Sequence, residues 1–231
     1  RQASPTVTFG PYDDPPTDVA DGGDVVLGLM PLAHALPTAW GRFLRDRLRH
    51  PYETWLEAVL GDPPADWPTV NAFWQRHHYD VLVARWANAV GADRLVVTVG
   101  TAEAPAPCLT AAGAETVRRV NLAFHNREWP VERYREVVRR GVVPALERHA
   151  SDSGDAVVVT PGWAVKRANS IAVADIARIM DSGVRVDGDL AALSRVRVTR
   201  GKAADASQLD LDAAVDAVMG AVDAVAATWP R

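Results

Sequence analysis

Cysteine is nearly absent. Cys108 is the single one, so the chain holds neither an internal disulfide nor a multi-cysteine metal site. No apolar run approaches the roughly 20 residues that a membrane-spanning helix needs. The opening RQASPTVTFG also lacks the charged-then-apolar layout of a signal peptide, so a cytoplasmic location is the expectation. Positive charge is not in excess either. The formal net charge is -4, which excludes a global basic field for nucleic acid or acidic lipid and leaves only local patches. Lysine is scarce beside arginine, and no function is read from that bias.

What is present is enough apolar residue, 48% of 231, to bury a full core, with 23% charged residues on a globular surface. Residues 1–23 are rich in Pro, Gly and Asp without periodicity and read as an irregular arm. Residues 24–198 carry alternating strand and helix signals, an α/β pattern. A polar linker and a last helix fill 199–231. Val25, Val26, Leu27 and Leu29 form a short apolar run suited to a strand covered on both faces, closed by Met30-Pro31. A helix over 36–49 follows, with Trp40, Leu44 and Leu48 on one face and Arg42, Arg45 and Arg49 on another.

Further along, a short helix is expected over 52–60 and another begins at 72. Tyr79, Leu82, Val83, Trp86 and Val90 then recur at helical spacing, with Gly91 placed to end that helix. Leu95–Val99 reads as a second buried strand. Strand, helical crossover and strand imply a parallel sheet flanked by helices. Helices are predicted over 112–126 and from Val131 onward, the second bent near Gly141 and Pro144. Residues 156–159 suggest a short strand, Thr160-Pro161 a capped helix start, and VRVDGDLAAL an extended piece, a turn and one helical turn. In the final helix Leu211, Val215, Val218, Val222, Val225 and Trp229 alternate steps of four and three. Packing of this seam on the domain is expected ahead of a homodimer.

Several segments taken in order resemble a known family: MPLAHALPTAW, HPYETWLEAVLGDPP, FWQRHHYDVLVARWANAVGADRLVVTV, LTAAGAETVRRVNLAF with WPVERYREVVRRGVVPALE, and PGWA with SGVRVDGDLAAL. Together they are similar to the actinobacterial sulfotransferase-like proteins, relatives of the P-loop sulfotransferases. The resemblance implies a P-loop fold with the donor, 3'-phosphoadenosine 5'-phosphosulfate, at the carboxyl ends of the strands. It also implies transfer of a sulfuryl group to a hydroxyl or amine of a small-molecule or glycan acceptor. Family members grip the 5'-phosphosulfate with a loop of the type G-x-x-K-T-G-T-T, and the 3'-phosphate with an Arg at a strand end and a Ser eight residues on.

This sequence contains no such loop; Gly201-Lys202 is followed by Ala203. Met30 stands at the Arg position and Thr38 at the Ser position, so a hydroxyl is kept and a cation lost. The chain opens on Arg1 rather than Met, and the loop is expected either upstream of it or not at all. The alternative expectation is a degenerate, non-catalytic scaffold that keeps the fold. By this resemblance the donor-binding candidates are Thr38, Met30, His34, Arg42 and Arg45, the two arginines as substitutes for the lost cation. No catalytic base is named.

Other chemistry-bearing groups have plainer readings. His77, His78 and Asp80 lack a second ligand at helical spacing and read as helix surface. Arg118-Arg119 and Arg139-Arg140 read as solvated helix faces, Asp187 and Asp189 as turn residues, and Cys108 as a packed thiol. No metal site is expected.

Overall fold

The computed structural model describes residues 7–10, 13–15, 23–100, 109–153, 157–198 and 208–227. Cys108, the linker 199–207, Trp229 and all but Gly100 of the proline-rich loop over 100–107 lie outside the described residues. The chain folds as two compact units. The first is Arg1–Leu36, Ala58–Ala104 and Thr160–Thr199; the second is Pro37–Glu57, Pro105–Val159 and Arg200–Arg231. Two of the boundaries fall inside helices, in α1 (Leu32–Arg45) and α2 (Tyr52–Leu60).

The first unit is built on a four-stranded parallel sheet in the order β1 (Val7–Phe9), β2 (Val25–Leu29), β3 (Leu95–Val99), β4 (Arg185–Asp187). Val25 pairs with Leu95 and Leu29 with Val99, in the parallel sense expected of a strand–crossover–strand unit. Val25, Leu27, Leu29, Leu95 and Val97 are buried, as their apolar runs require. Strand β1 corrects the reading of residues 1–23 as wholly irregular. Its Val-Thr-Phe triplet is β-prone and pairs along β2, and the Phe9 ring lies 4.9 Å from Trp86.

Helices α3 (Pro68–His77), α4 (Tyr79–Val90) and α8 (Gly162–Asp181) belong to this unit, α8 packing on α4 and on the 3-10 turn Leu190–Ser194. Helix α4 forms as its periodicity predicts: Tyr79, Leu82, Val83, Trp86 and Val90 are all buried, and Gly91 ends it at φ 93. The start of α8 differs from expectation. Pro161 occupies the cap position without a side-chain bond, and the Thr160 hydroxyl donates to the Ala33 carbonyl at 3.0 Å. Pro37 explains this, because it lies inside α1 and has no N–H to offer Ala33. Thr160 supplies the missing donor.

Helix α1 runs over 32–45, not 36–49. Pro31 allows the early start: its carbonyl accepts from the His34 and Ala35 N–H groups. The early stop is a left-handed residue. Arg47 sits at φ 74, its N–H donates to Leu44 O, and the Leu48 N–H reaches back to Phe43 O. These are the two bonds of a Schellman ending, here with Arg where Gly is preferred.

The second unit is helical. Helix α5 (Ala111–Asn126) is capped by Thr110, whose hydroxyl accepts from the Gly113 N–H at 3.0 Å. Val157 makes an isolated antiparallel bridge to Thr110 in place of the short strand expected there. After α6 (Val131–Tyr134) comes a π-helical stretch, Arg135–Val142, and then α7 (Val143–Ser153). The irregularity predicted at Gly141 and Pro144 takes this form: a wider turn tolerates the donor that Pro144 lacks. Helix α9 (Leu211–Ala226) packs on the π-helical stretch and on α7.

The face by which α9 packs corrects the expectation. Ala213 and Ala217 are its buried residues, and Gly220 lies against Gly141. Leu211 at 75%, Val215, Val218, Met219, Val222 and Val225 are exposed. Small residues let the helix axes approach closely, and that approach turns the larger heptad residues outward.

Candidate functional site

Strand β2 runs into α1 through Met30 and Pro31, which places Met30 at the carboxyl end of a central parallel strand. This is where open α/β sheets bind ligands. Met30 is half-buried and its carbonyl accepts from the Tyr79 hydroxyl. His34 is exposed in the first turn of α1, whose residues up to Leu36 belong to the first unit. Thr38, Arg42 and Arg45 follow on the same helix in its second-unit part and are half-buried. Arg45 donates to Glu147, a carboxylate whose burial raises its pKa against the lowering effect of that same Arg45. Its charge is therefore already matched by a fixed anion.

Tyr79 is the pivot of a second polar group in the first unit. Its backbone N–H donates to Asp175 Oδ2 at 3.3 Å, and Asp175 is 3% exposed. Arg178 contacts both Asp80, at 3.1 Å, and Asp175, at 3.6 Å. Burial, then the neighbouring Asp80 charge, pushes the Asp175 carboxyl up to about 6. The sequence signal was available, since Ala168, Ala172, Asp175 and Ile179 form one buried stripe of α8. An acid inside an apolar stripe marks a buried polar contact.

In the second unit the end of α1 is fastened by side chains. Asn121 Nδ2 donates to the carbonyls of Leu44 (2.7 Å) and Leu48 (2.8 Å). The Tyr134 hydroxyl donates to Leu44 O at 3.0 Å and Arg45 O at 3.3 Å. Arg118 donates to Arg49 O at 3.0 Å, and Trp40 Nε1 to His50 O at 3.2 Å. Burial drives the Tyr134 phenol up to about 12, so it remains a donor. Asn121 likewise interrupts an apolar stripe, between Val117 and Phe124.

The remaining candidates take structural roles. His77 is buried, stacked on Phe73 at 4.2 Å with Nδ1 2.8 Å from Phe73 O, whereas His78 is exposed and edge-on to Trp74. The two rings do not converge. Arg118 and Arg119 both bind Glu115, whose carboxyl is held low first by the hydrogen bond from Arg118. Arg139 lies 3.6 Å from Asp46. Asp189 caps the 3-10 turn by accepting from the Ala191 N–H and pairs with Arg195. Among the described residues no His, Cys, Asp and Glu group is arranged to hold a metal ion, and no helix is long and apolar enough to cross a membrane. No protein-family model, no curated protein and no solved structure matches this chain.

Proposed function

We propose that this chain is a sulfotransferase-like α/β protein that meets the 3'-phosphate end of 3'-phosphoadenosine 5'-phosphosulfate at the start of α1. In the reaction the acceptor oxygen or nitrogen attacks sulfur in line. The bond from sulfur to the bridging phosphate oxygen breaks, the bisphosphate leaves, and the acceptor proton passes to a base. The 5'-phosphosulfate requires a phosphate loop that this sequence does not carry. Thr38 contributes a hydroxyl, with His34 and Arg42 as further contacts, while Arg45 is committed to Glu147. One observation supports the reading most: a parallel β2 opens directly into α1, with Met30 and Thr38 at the family's strand-end and helix positions.

Calorimetry of the full chain with 3'-phosphoadenosine 5'-phosphate tests it. Micromolar binding that Thr38→Ala removes is the expected result. Absence of heat at millimolar nucleotide sinks the donor site and leaves the non-catalytic alternative.

That second reading, an interaction module pairing through its last helix, has one observation in its favour. The exposed Leu211, Val215, Val218, Val222 and Val225 keep heptad spacing on a helix already anchored by its opposite, small-residue face. Sedimentation decides between partner and ornament. A dimer that Val218→Glu converts to monomer supports self-pairing, and a monomeric wild type at high concentration removes it.

A further inference from the structure

Arg47 occupies a backbone position, φ 74, that glycine fills at less cost, directly after α1. Such a residue persists when its surroundings hold it, and the local carbonyls of Leu44, Arg45, Leu48, Arg49 and His50 are each bound by a side chain. The loop is thus a rigid mount. Arg47, Arg49, Asn121 and His125, with Asp46, line a cleft of about 250 Å³ that lies wholly in the second unit.

The chemistry of this cleft is one-sided. Asp46 is its single carboxylate, and it already faces Arg139 at 3.6 Å. Arg47 lies over the Tyr134 ring at 5.7 Å, a contact that steadies the side chain without neutralising it. His50 beside the cleft has its pKa lowered by burial and then by the charges of Arg49 and Arg118, in keeping with a positive local field. Asn121 is 2% exposed and spends its amide N–H groups on Leu44 and Leu48, which leaves Oδ1 with no hydrogen-bond partner. The wall therefore offers cations and one acceptor.

We propose that this cleft binds a small phosphorylated or sulfated polyol, its oxyanion between Arg47, Arg49 and His125 and a hydroxyl donating to Asn121 Oδ1. This site is separate from the donor position at the start of α1. Its ligand is recognised by a bidentate-capable cation pair together with a polar group, which distinguishes an ester from a bare ion.

The test is titration of the full chain with a hexose 6-phosphate, the matching hexose 6-sulfate, inorganic phosphate, inorganic sulfate and the plain hexose. The esters are expected to bind about tenfold more tightly than the inorganic ions, with no heat from the hexose. Arg47→Gly keeps the left-handed backbone and Arg49→Gln keeps the side-chain length. Each weakens the esters about tenfold with the melting temperature preserved, and Thr38→Ala leaves them unchanged. The two esters show whether phosphate or sulfate is the natural oxyanion. Ester binding that survives Arg47→Gly and Arg49→Gln together overturns the proposal, as does no binding at millimolar ester. Equal affinity for ester and inorganic ion overturns the role given to Asn121.

Discussion

Gly141 and Gly220 meet backbone to backbone. A Cβ placed on Gly141 would stand 2.4 Å from Gly220 O, and one on Gly220 would stand 2.6 Å from Gly141 O. Neither neighbour is a side chain that can swing away. Gly220→Ala is therefore expected to cost about 2–4 kcal/mol, well beyond the helix-propensity gain of about 1 kcal/mol that alanine brings. Denaturant unfolding measures it, and a stabilised variant would show that the helices part easily.

Asp175 gives unit 1 a pH dependence of definite sign. Its folded-state pKa of about 6 lies above the ordinary 3.8, so its contribution is complete below 3.8 and is lost as pH rises through 6. Asp175→Asn keeps an acceptor for the Tyr79 N–H and cannot ionise. Relative to wild type it should gain about 1–3 kcal/mol between pH 4 and pH 8, in proportion to the removed ionisation. Parallel melting curves across that range would disprove the assignment.

Thr160 and Pro37 act on one carbonyl, that of Ala33. Thr160→Val takes away its donor and should destabilise by about 1–2 kcal/mol. Pro37→Ala restores the helical N–H. In that background the same Thr160→Val change is expected to cost less than half as much, a coupling that a double-mutant cycle reads directly.

Asn121 holds two carbonyls at the end of α1 from a fully buried position. Asn121→Ala takes a donor from each. Leu44 O keeps its bonds from the Tyr134 hydroxyl and the Arg47 N–H, whereas Leu48 O loses its side-chain donor, and the change should cost about 2–3 kcal/mol. Tyr134→Phe should cost less, about 1–2 kcal/mol, because Leu44 O keeps its bond from Asn121. Chemical denaturation ranks the two, and the reverse order would contradict the division of labour.

Much of the fold was legible from periodicity. Strands β2 and β3, helix α4 with its Gly91 stop, and the irregularity before Pro144 all follow from local rules that tertiary packing did not override. The packing face of α9 was not. Hydrophobic spacing points to Leu211, Val215 and Val218, but close approach is governed by Ala213, Ala217 and Gly220, which carry little apolar weight. At the candidate site, the position of Met30 at a strand end could be read from sequence. That Arg45 is engaged by Glu147 could not, because 102 residues separate them. Arg47 was missed for a different reason: its significance lies in a backbone angle that its identity argues against.

Each unit is stitched from three separated stretches of chain. During synthesis neither can close early: the first waits for α8 and β4, and the second for α9, the last helix of the described chain. Until then β2 and β3 present an unfinished sheet whose exposed edge invites pairing with other chains. The most vulnerable interval is thus the time before α8, β4 and α9 emerge, and chaperone dependence should be greatest there.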